Sequence, residues 1–165
     1  MIRRAGTEDI PLIRSMAQTA FRATYAHILS PGQMEYMMDM MYSAESLGRQ
    51  MSAEGNIFYV EEGRGYVSFR RDGLTADGRE LFHLEKLYVL PEYQKTGLGR
   101  RLFDTVAEQA REASGGKPFR LELNVNRANP AVGFYEHIGL HKARSGDFPI
   151  GEGFYMNDYI MAADL

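Results

Sequence analysis

From Glu80 to Val125 the chain reads as a β-rich run, a glycine-bearing loop, a helix and a second β-rich run, and this order constrains the fold most. "ELFHLEKLYVL" is a long strand closed by Pro91. A helix follows from about Gly97 to Ser114, stopped by Gly115–Gly116, and "PFRLELNV" is the next strand. A helix between two strands forms a βαβ unit, so strands 80–90 and 118–125 are expected to lie parallel with a right-handed crossover.

The flanking segments point to an antiparallel surround. Met1 to Ala5 is a short strand candidate. Thr7 is placed to cap a helix from Glu8 to about Ala26, whose apolar stripe is Ile10, Ile13, Met16, Ala17, Ala20 and Phe21. "SPGQ" at 30–33 combines a capping serine, a first-turn proline and a capping-box glutamine, and predicts a helix to about Tyr42. A further helix runs from Ala44 to Glu54. Ile57–Glu61 and Gly65–Arg70 form a hairpin about Glu62–Gly63–Arg64, and "DGLTADGR" reads as a loop. Asn129–Pro130 opens a short helix to Ile138, and two strands near His141–Ser145 and Phe154–Met161 close the chain. The expected class is α+β, one domain over 1–165, with a mixed, mostly antiparallel sheet flanked by about four helices.

Composition removes several functions. The chain has 165 residues, no cysteine and a net charge of −3, so thiolate catalysis, disulfides and cysteine–zinc sites are excluded. No global basic field draws it to nucleic acid or to a membrane, and no segment has the length of a signal peptide or a span. A cytoplasmic protein, monomer or homodimer, is the expectation.

"QKTGLGRR" at 94–101 sets the chemical question. Arg100 and Arg101 fall in the first helical turn, where the macrodipole disfavours cations. Gly97 and Gly99 let successive N–H groups converge on one point, and with the helix start they make an anion cradle in which Lys95 and the arginines become favourable. The competing reading is a plain tight loop, with Arg100 paired to Asp104 one turn on. The spacing fits neither a P-loop nor a Rossmann fingerprint, since Leu102 stands where the third glycine belongs.

Downstream, "NVNRANPAVGFYEHIGL" would bring Phe134 and Tyr135 to the same strand ends. The Gln-x-x-Gly-x-Gly loop followed by this segment resembles the GNAT N-acetyltransferase superfamily, and "LEKLYVLPEYQKTGLGRRL" is especially similar to its spermidine acetyltransferase-like bacterial members. The resemblance implies acetyl-CoA as co-substrate, no metal, and a central parallel pair splayed to hold CoA. It implies that Gln94, Lys95, Thr96, Gly97, Leu98, Gly99, Arg100 and Arg101 meet the pyrophosphate. Main-chain groups near Leu87, Tyr88 and Val89 would pair with the pantetheine arm, and Asn126 and Asn129 would lie within its reach. Tyr135 takes the position of the acid that protonates the leaving thiolate, and the Val89 N–H that of the oxyanion donor.

For the base, alternation groups Glu85 with Leu87 and Val89, where apolar neighbours would raise its pKa. A structural ion pair with Arg79 or Lys86 is equally open, and His83 and Tyr88 are alternatives. Met34, Met37, Met38, Met40 and Met41 read either as a pliable acceptor wall or as core. Glu35, Asp39, Glu61, Glu62, Asp147 and Glu152 are the acidic candidates for an amine acceptor, small molecule or peptide. A GNAT-fold module that binds acyl-CoA without turnover is the alternative function.

Overall fold

The computed structural model describes residues 1–165. In chain order its elements are β1 (Arg3–Arg4), α1 (Ile10–Tyr25), α2 (Pro31–Tyr42), α3 (Ala44–Met51), β2 (Ile57–Glu61), β3 (Gly65–Leu74), β4 (Glu80–Val89), α4 (Leu98–Ala113), β5 (Phe119–Asn126), α5 (Ala131–His137), β6 (His141–Gly151) and β7 (Phe154–Asp164). The seven strands form one sheet in the order β1-β2-β3-β4-β5-β7-β6. Only β4 and β5 pair in parallel, as the βαβ reading requires; every other neighbour is antiparallel.

Local chemistry explains most boundaries. Ser30 Oγ accepts the Gln33 N–H at 3.2 Å and starts α2, and Ser43 Oγ does the same for Ser46 N–H at 3.1 Å in α3. Thr7 caps nothing. Residues Thr7–Asp9 form a 3-10 turn, the Gly6 N–H donates to Asp9 Oδ2 at 2.9 Å, and α1 begins only at Ile10. The reason is Pro11: in a helix from Glu8 it would sit at an interior position that requires an N–H, whereas here it falls in the first turn. The loop expected after Arg70 is shorter than the sequence suggests, because β3 stays paired to Leu74, opposite Glu80. The closing hairpin is longer, with eleven residues in each strand. The five α-helices correspond to the five helical segments read from the sequence.

Two apolar clusters occupy the two sheet faces. On one, α4 lays Leu98, Leu102 and Val106 against Val67, Phe69, Phe82, Leu84, Leu121 and Leu123. On the other, α1–α3 pack Ile13, Phe21, Met34, Met37, Met38 and Leu47 onto Phe58, Val60 and Tyr66. The methionines of α2 are therefore core-filling: Met34, Met37 and Met38 are buried, with Met40 and Met41 packed around them. Burying each such side chain contributes about 1.5–3 kcal/mol.

A β-bulge at Glu85 breaks the alternation in the central strand. Ser68 pairs with Lys86 and Phe69 with Leu84, so Glu85 has no partner in β3. The phase resets: Leu87 and Val89 join the α4 face, while Lys86 turns to the α1–α3 face. There its ammonium donates to Gln50 Oε1 at 2.6 Å and lies over the rings of Tyr42 and Phe58 at 5.6 and 5.7 Å, with no carboxylate partner.

Burial lowers the Lys86 ammonium from 10.5 to about 8. Between these values the unfolded chain keeps a proton that the folded chain has released, so Lys86 makes stability rise with pH across that window. The difference corresponds to about 3 kcal/mol. Urea unfolding of wild type and Lys86→Met from pH 7 to pH 10 is expected to show the variant's relative advantage shrinking as pH rises. A pH-independent difference would assign Lys86 no such linkage. The pairwise comparison cancels the buried tyrosines, whose earlier ionisation in the unfolded chain lowers stability above about pH 10.

Candidate active site

The parallel pairing is short. Glu80–Leu84 of β4 meet Phe119–Leu123 of β5, and beyond them β4 pairs only with β3 and β5 only with β7. The strands part into a V whose edges carry unpaired main-chain groups. The Leu90 N–H donates to Arg64 O at 2.8 Å, toward β3. Period-two alternation then aims the N–H groups of Leu87 and Val89 the other way, into the V.

At the mouth of the V the chain makes a 3-10 turn, Pro91–Tyr93, and then the loop that starts α4. The N–H groups of Lys95, Thr96, Gly97, Leu98, Gly99 and Arg100 find no acceptor in the chain. Gly97, the N-cap, has φ 86° and no capping side chain, and Lys95 also adopts the left-handed region at φ 63°. Such turns point consecutive N–H groups into one concavity, here reinforced by the helix dipole. This row of donors fits a diphosphate. A Cβ on Gly97 would meet nothing within 4 Å, so the glycine serves the backbone conformation. Gly99 serves close approach, since a Cβ there would lie 3.3 Å from Phe134 Cζ, and its absence lets α5 pack against the start of α4.

The two arginines have carboxylate partners. Arg100 Nε donates to Asp104 Oδ1 at 3.0 Å, and Arg101 bonds Glu61 Oε1 at 3.1 Å. Glu61 is buried, and Arg101, followed by the N-terminal ammonium, holds its carboxyl below the usual range. Lys95 is exposed and has no such partner, so it is the free cation of the loop. The Gln94 side chain instead donates to Val89 O at 3.3 Å, and the Thr96 hydroxyl donates to Tyr93 O.

Beneath the V lies a group of phenols. Tyr135 of α5 is 5% exposed, edge-on to Phe134, and its hydroxyl makes no hydrogen bond within the chain. Burial and then Tyr25 push its ionisation up. The Tyr25 and Tyr88 hydroxyls are 3.4 Å apart, and Asn129 also faces Tyr25. Tyr25, Tyr88 and Tyr135 all ionise above the ordinary tyrosine value, so each keeps its proton at neutral pH. Asn129 Oδ1 accepts the Ala131 N–H at 2.9 Å, and Asn126 Oδ1 the Ala128 N–H at 2.9 Å; both order the turn that leads into α5.

Glu85 is not where alternation places it. The bulge turns it away from Leu87 and Val89, and its Oε1 accepts from Arg70 Nε at 2.7 Å, so the partner is neither Arg79 nor Lys86. His83 is half-buried, and burial lowers its pKa. The acidic candidates for an acceptor do not converge: Glu35 pairs with Arg22, Glu61 with Arg101, Glu62 with Arg3 and Asp147 with Arg127, while Asp39 and Glu152 are exposed.

Sequence reasoning missed Tyr25 and Asp158. Tyr25 continues the α1 stripe one turn beyond Phe21. Asp158 is a carboxylate in phase with the buried Ile160 and Ala162 of β7, which alternation could have flagged. It is 2% exposed, and burial raises its pKa against the opposing pull of Asn124 and Arg127.

Comparison with known proteins agrees with this geometry. The acetyltransferase (GNAT) domain family matches residues 25–153. An uncharacterised N-acetyltransferase of the pepI 3′ region of Lactobacillus delbrueckii subsp. lactis is 26% identical over 158 residues, covering 92% of this chain and 90% of the relative. The PaiA N-acetyltransferase of Thermoplasma acidophilum, solved in complex with coenzyme A, superposes with TM-score 0.70 at 24% identity over 100% of this chain and 98% of its own. The ribosomal-protein-S18-alanine N-acetyltransferase of Escherichia coli gives TM-score 0.65 at 22% identity, over 99% and 92%. With its family match spanning most of the sequence, and its fold shared end to end, the chain belongs to the GNAT family of N-acetyltransferases.

Proposed function

We propose that this N-acetyltransferase moves an acetyl group from acetyl-CoA directly to a primary amine. The observation that carries the donor assignment is the row of six unpaired N–H groups from Lys95 to Arg100 at the start of α4, beside the open edge of β4. The coenzyme A bound to the Thermoplasma acidophilum relative supports the same reading.

The residues divide the work along the V. The Lys95–Arg100 amides hold the diphosphate, with Lys95 adding charge. Arg100 and Arg101 keep the loop in shape through Asp104 and Glu61. The Leu87 and Val89 main-chain groups hold the pantetheine arm as a strand partner would. Acetyl-CoA supplies the acetyl group as an activated thioester. In this reading the Val89 N–H, which strand alternation aims into the V, stabilises charge developing on the carbonyl oxygen.

Tyr135 stands under the V with its proton retained. A phenol whose ionisation is pushed up by burial does not surrender its proton to a solvated thiolate. A thioester sulfur held in the V beside this buried residue would leave into partly buried surroundings, where a thiolate is also disfavoured. Tyr135 therefore donates a hydrogen bond to the departing sulfur and completes the transfer as the thiolate forms. Glu85, committed to Arg70, is not placed in the mechanism.

The reading is tested by free-thiol release from acetyl-CoA with a panel of polyamines, amino acids, aminoglycosides and peptides, products being identified by mass spectrometry. Tight CoA binding without release from any of them would favour a non-catalytic acyl-CoA sensor. Gly97→Asp is expected to weaken CoA binding by about 100-fold or more in calorimetry, through backbone strain and a carboxylate in the cradle, whereas Arg100→Ala changes it by only about two- to five-fold. Tyr135→Phe is expected to lower kcat by about 100-fold with CoA affinity unchanged, and an unaltered kcat removes Tyr135 from the chemistry.

A further inference from the structure

Four carboxylate residues are buried: Asp9, Glu61, Glu122 and Asp158. Three have arginine partners, Asp9 with Arg3 at 2.7 Å, Glu61 with Arg101 at 3.1 Å, and Glu122 with Arg120 and Arg144 at 2.9 and 3.0 Å. Asp158 has none. Its Oδ2 accepts one bond from Asn124 Nδ2 at 3.2 Å, and its Oδ1 accepts nothing from the chain. Nor is that oxygen sealed: the occluded side-chain atoms without partners are Asn56 Oδ1, Ser68 Oγ and Ser114 Oγ. Arg127, whose charge reaches Asp158, is tied by its guanidinium to the Asp147 carboxylate and to the main-chain oxygens of Gly146 and Asp158.

A buried carboxylate with no cation is costly to keep unless something supplies the charge. Its position indicates what does. Asp158 lies opposite Asn126 across β5 and Gly146 across β6, on the side of the V where β5 has already left β4. Tyr25, which contacts Tyr88 and faces Asn129, feels its charge. The missing cation thus belongs beside the phenols at the reacting end of the V, across from the donor loop.

We propose that Asp158 is the counter-ion and proton acceptor for the ammonium of the acceptor amine. This rests on the acetyl-transfer reading above. An R–NH₃⁺ group held at Oδ1 gives one proton to the carboxylate and becomes R–NH₂. Its lone pair forms the N–C bond as the C–S bond breaks and the sulfur keeps that bonding pair. The second N–H proton balances the one that Tyr135 passes to the sulfur, so acetamide, thiol and one proton on Asp158 result, and that proton then leaves to solvent. Burial brings Asp158 nearer to the proton affinity that such a base needs. The groups facing it are Asn124 from β5, Arg127, itself held by Asp147, and Tyr25 from α1.

The test follows the ¹³C carboxyl resonance of Asp158, assigned by its loss in Asp158→Asn, while n-butylammonium chloride is added to the full-length protein. A saturable shift is expected, and no saturable shift overturns the proposal. In parallel, thiol release to spermidine and to an alanine-initiated tetrapeptide is measured from pH 6 to pH 9. Asp158→Asn is expected to lower kcat/KM by about 100-fold at pH 7 with acetyl-CoA affinity unchanged, the deficit closing as the free amine becomes abundant. The variant also melts higher at pH 7, because a folded-state pKa above the unfolded value makes Asp158 cost stability progressively as pH rises from the unfolded to the folded pKa, the full cost being present above it. Transfer that proceeds in Asp158→Asn at the wild-type rate and with the same pH profile overturns the assignment and leaves acetyl transfer standing. Ammonium binding without thiol release to any acceptor does the reverse.

Discussion

The parting of β4 from β5 beyond Leu84 and Leu123 is the constraint on which the site depends. Parallel pairing holds the two strands through their first halves, and α4, the crossover between them, is clamped to the sheet by Leu98, Leu102 and Val106. The strands cannot drift apart at that end, so they open at the other. The bulge at Glu85 sits where the separation begins and resets which residues face which side. Main-chain groups that would complete a ladder are left facing a cleft, and the helix start lies at its mouth.

Charge is unbalanced at both ends of this cleft, with opposite sign. At the donor loop, six N–H groups and Lys95 lack acceptors, while the arginines that look decisive in the sequence are already neutralised by Asp104 and Glu61. Across the V, Asp158 is the buried carboxylate without a guanidinium. An anion at one end and a cation at the other would satisfy both deficits, as the proposed diphosphate-bearing donor and ammonium acceptor do. Neither end is favourable to the empty fold. Both are tolerated because the two clusters on the sheet faces supply the stability elsewhere.

Much of the architecture was legible from local rules. Ser30 and Pro31 started a helix because a side-chain oxygen and a missing N–H act on their own neighbours. The Glu80–Val125 stretch announced a parallel pair because its connection admits no other economical topology. Errors arose where a local rule met a second requirement, as Thr7 did at Pro11 and as the Arg70 end did when β4 extended the pairing of β3. The donor loop was readable as a possible cradle. The Arg100–Asp104 pair, one turn apart, was legible as the competing reading, whereas the Arg101–Glu61 pair was not, because Glu61 lies 40 residues away in sequence from Arg101, beyond any local pattern.

The sequence by itself determined the α+β order, the parallel central pair, the glycine-bearing helix start and Tyr135 on a following short helix. These follow from periodicity, capping and connection length, which act over a few residues. Only the tertiary structure decided that Glu85 is unpaired in the ladder and bonded to Arg70, that the α2 methionines are core, and that Asp158 stands without a cation beside Tyr25. The physical reason is that burial and ion pairing depend on which distant segments meet. A carboxylate's role is set by the charges around it, and no spacing along the chain records them.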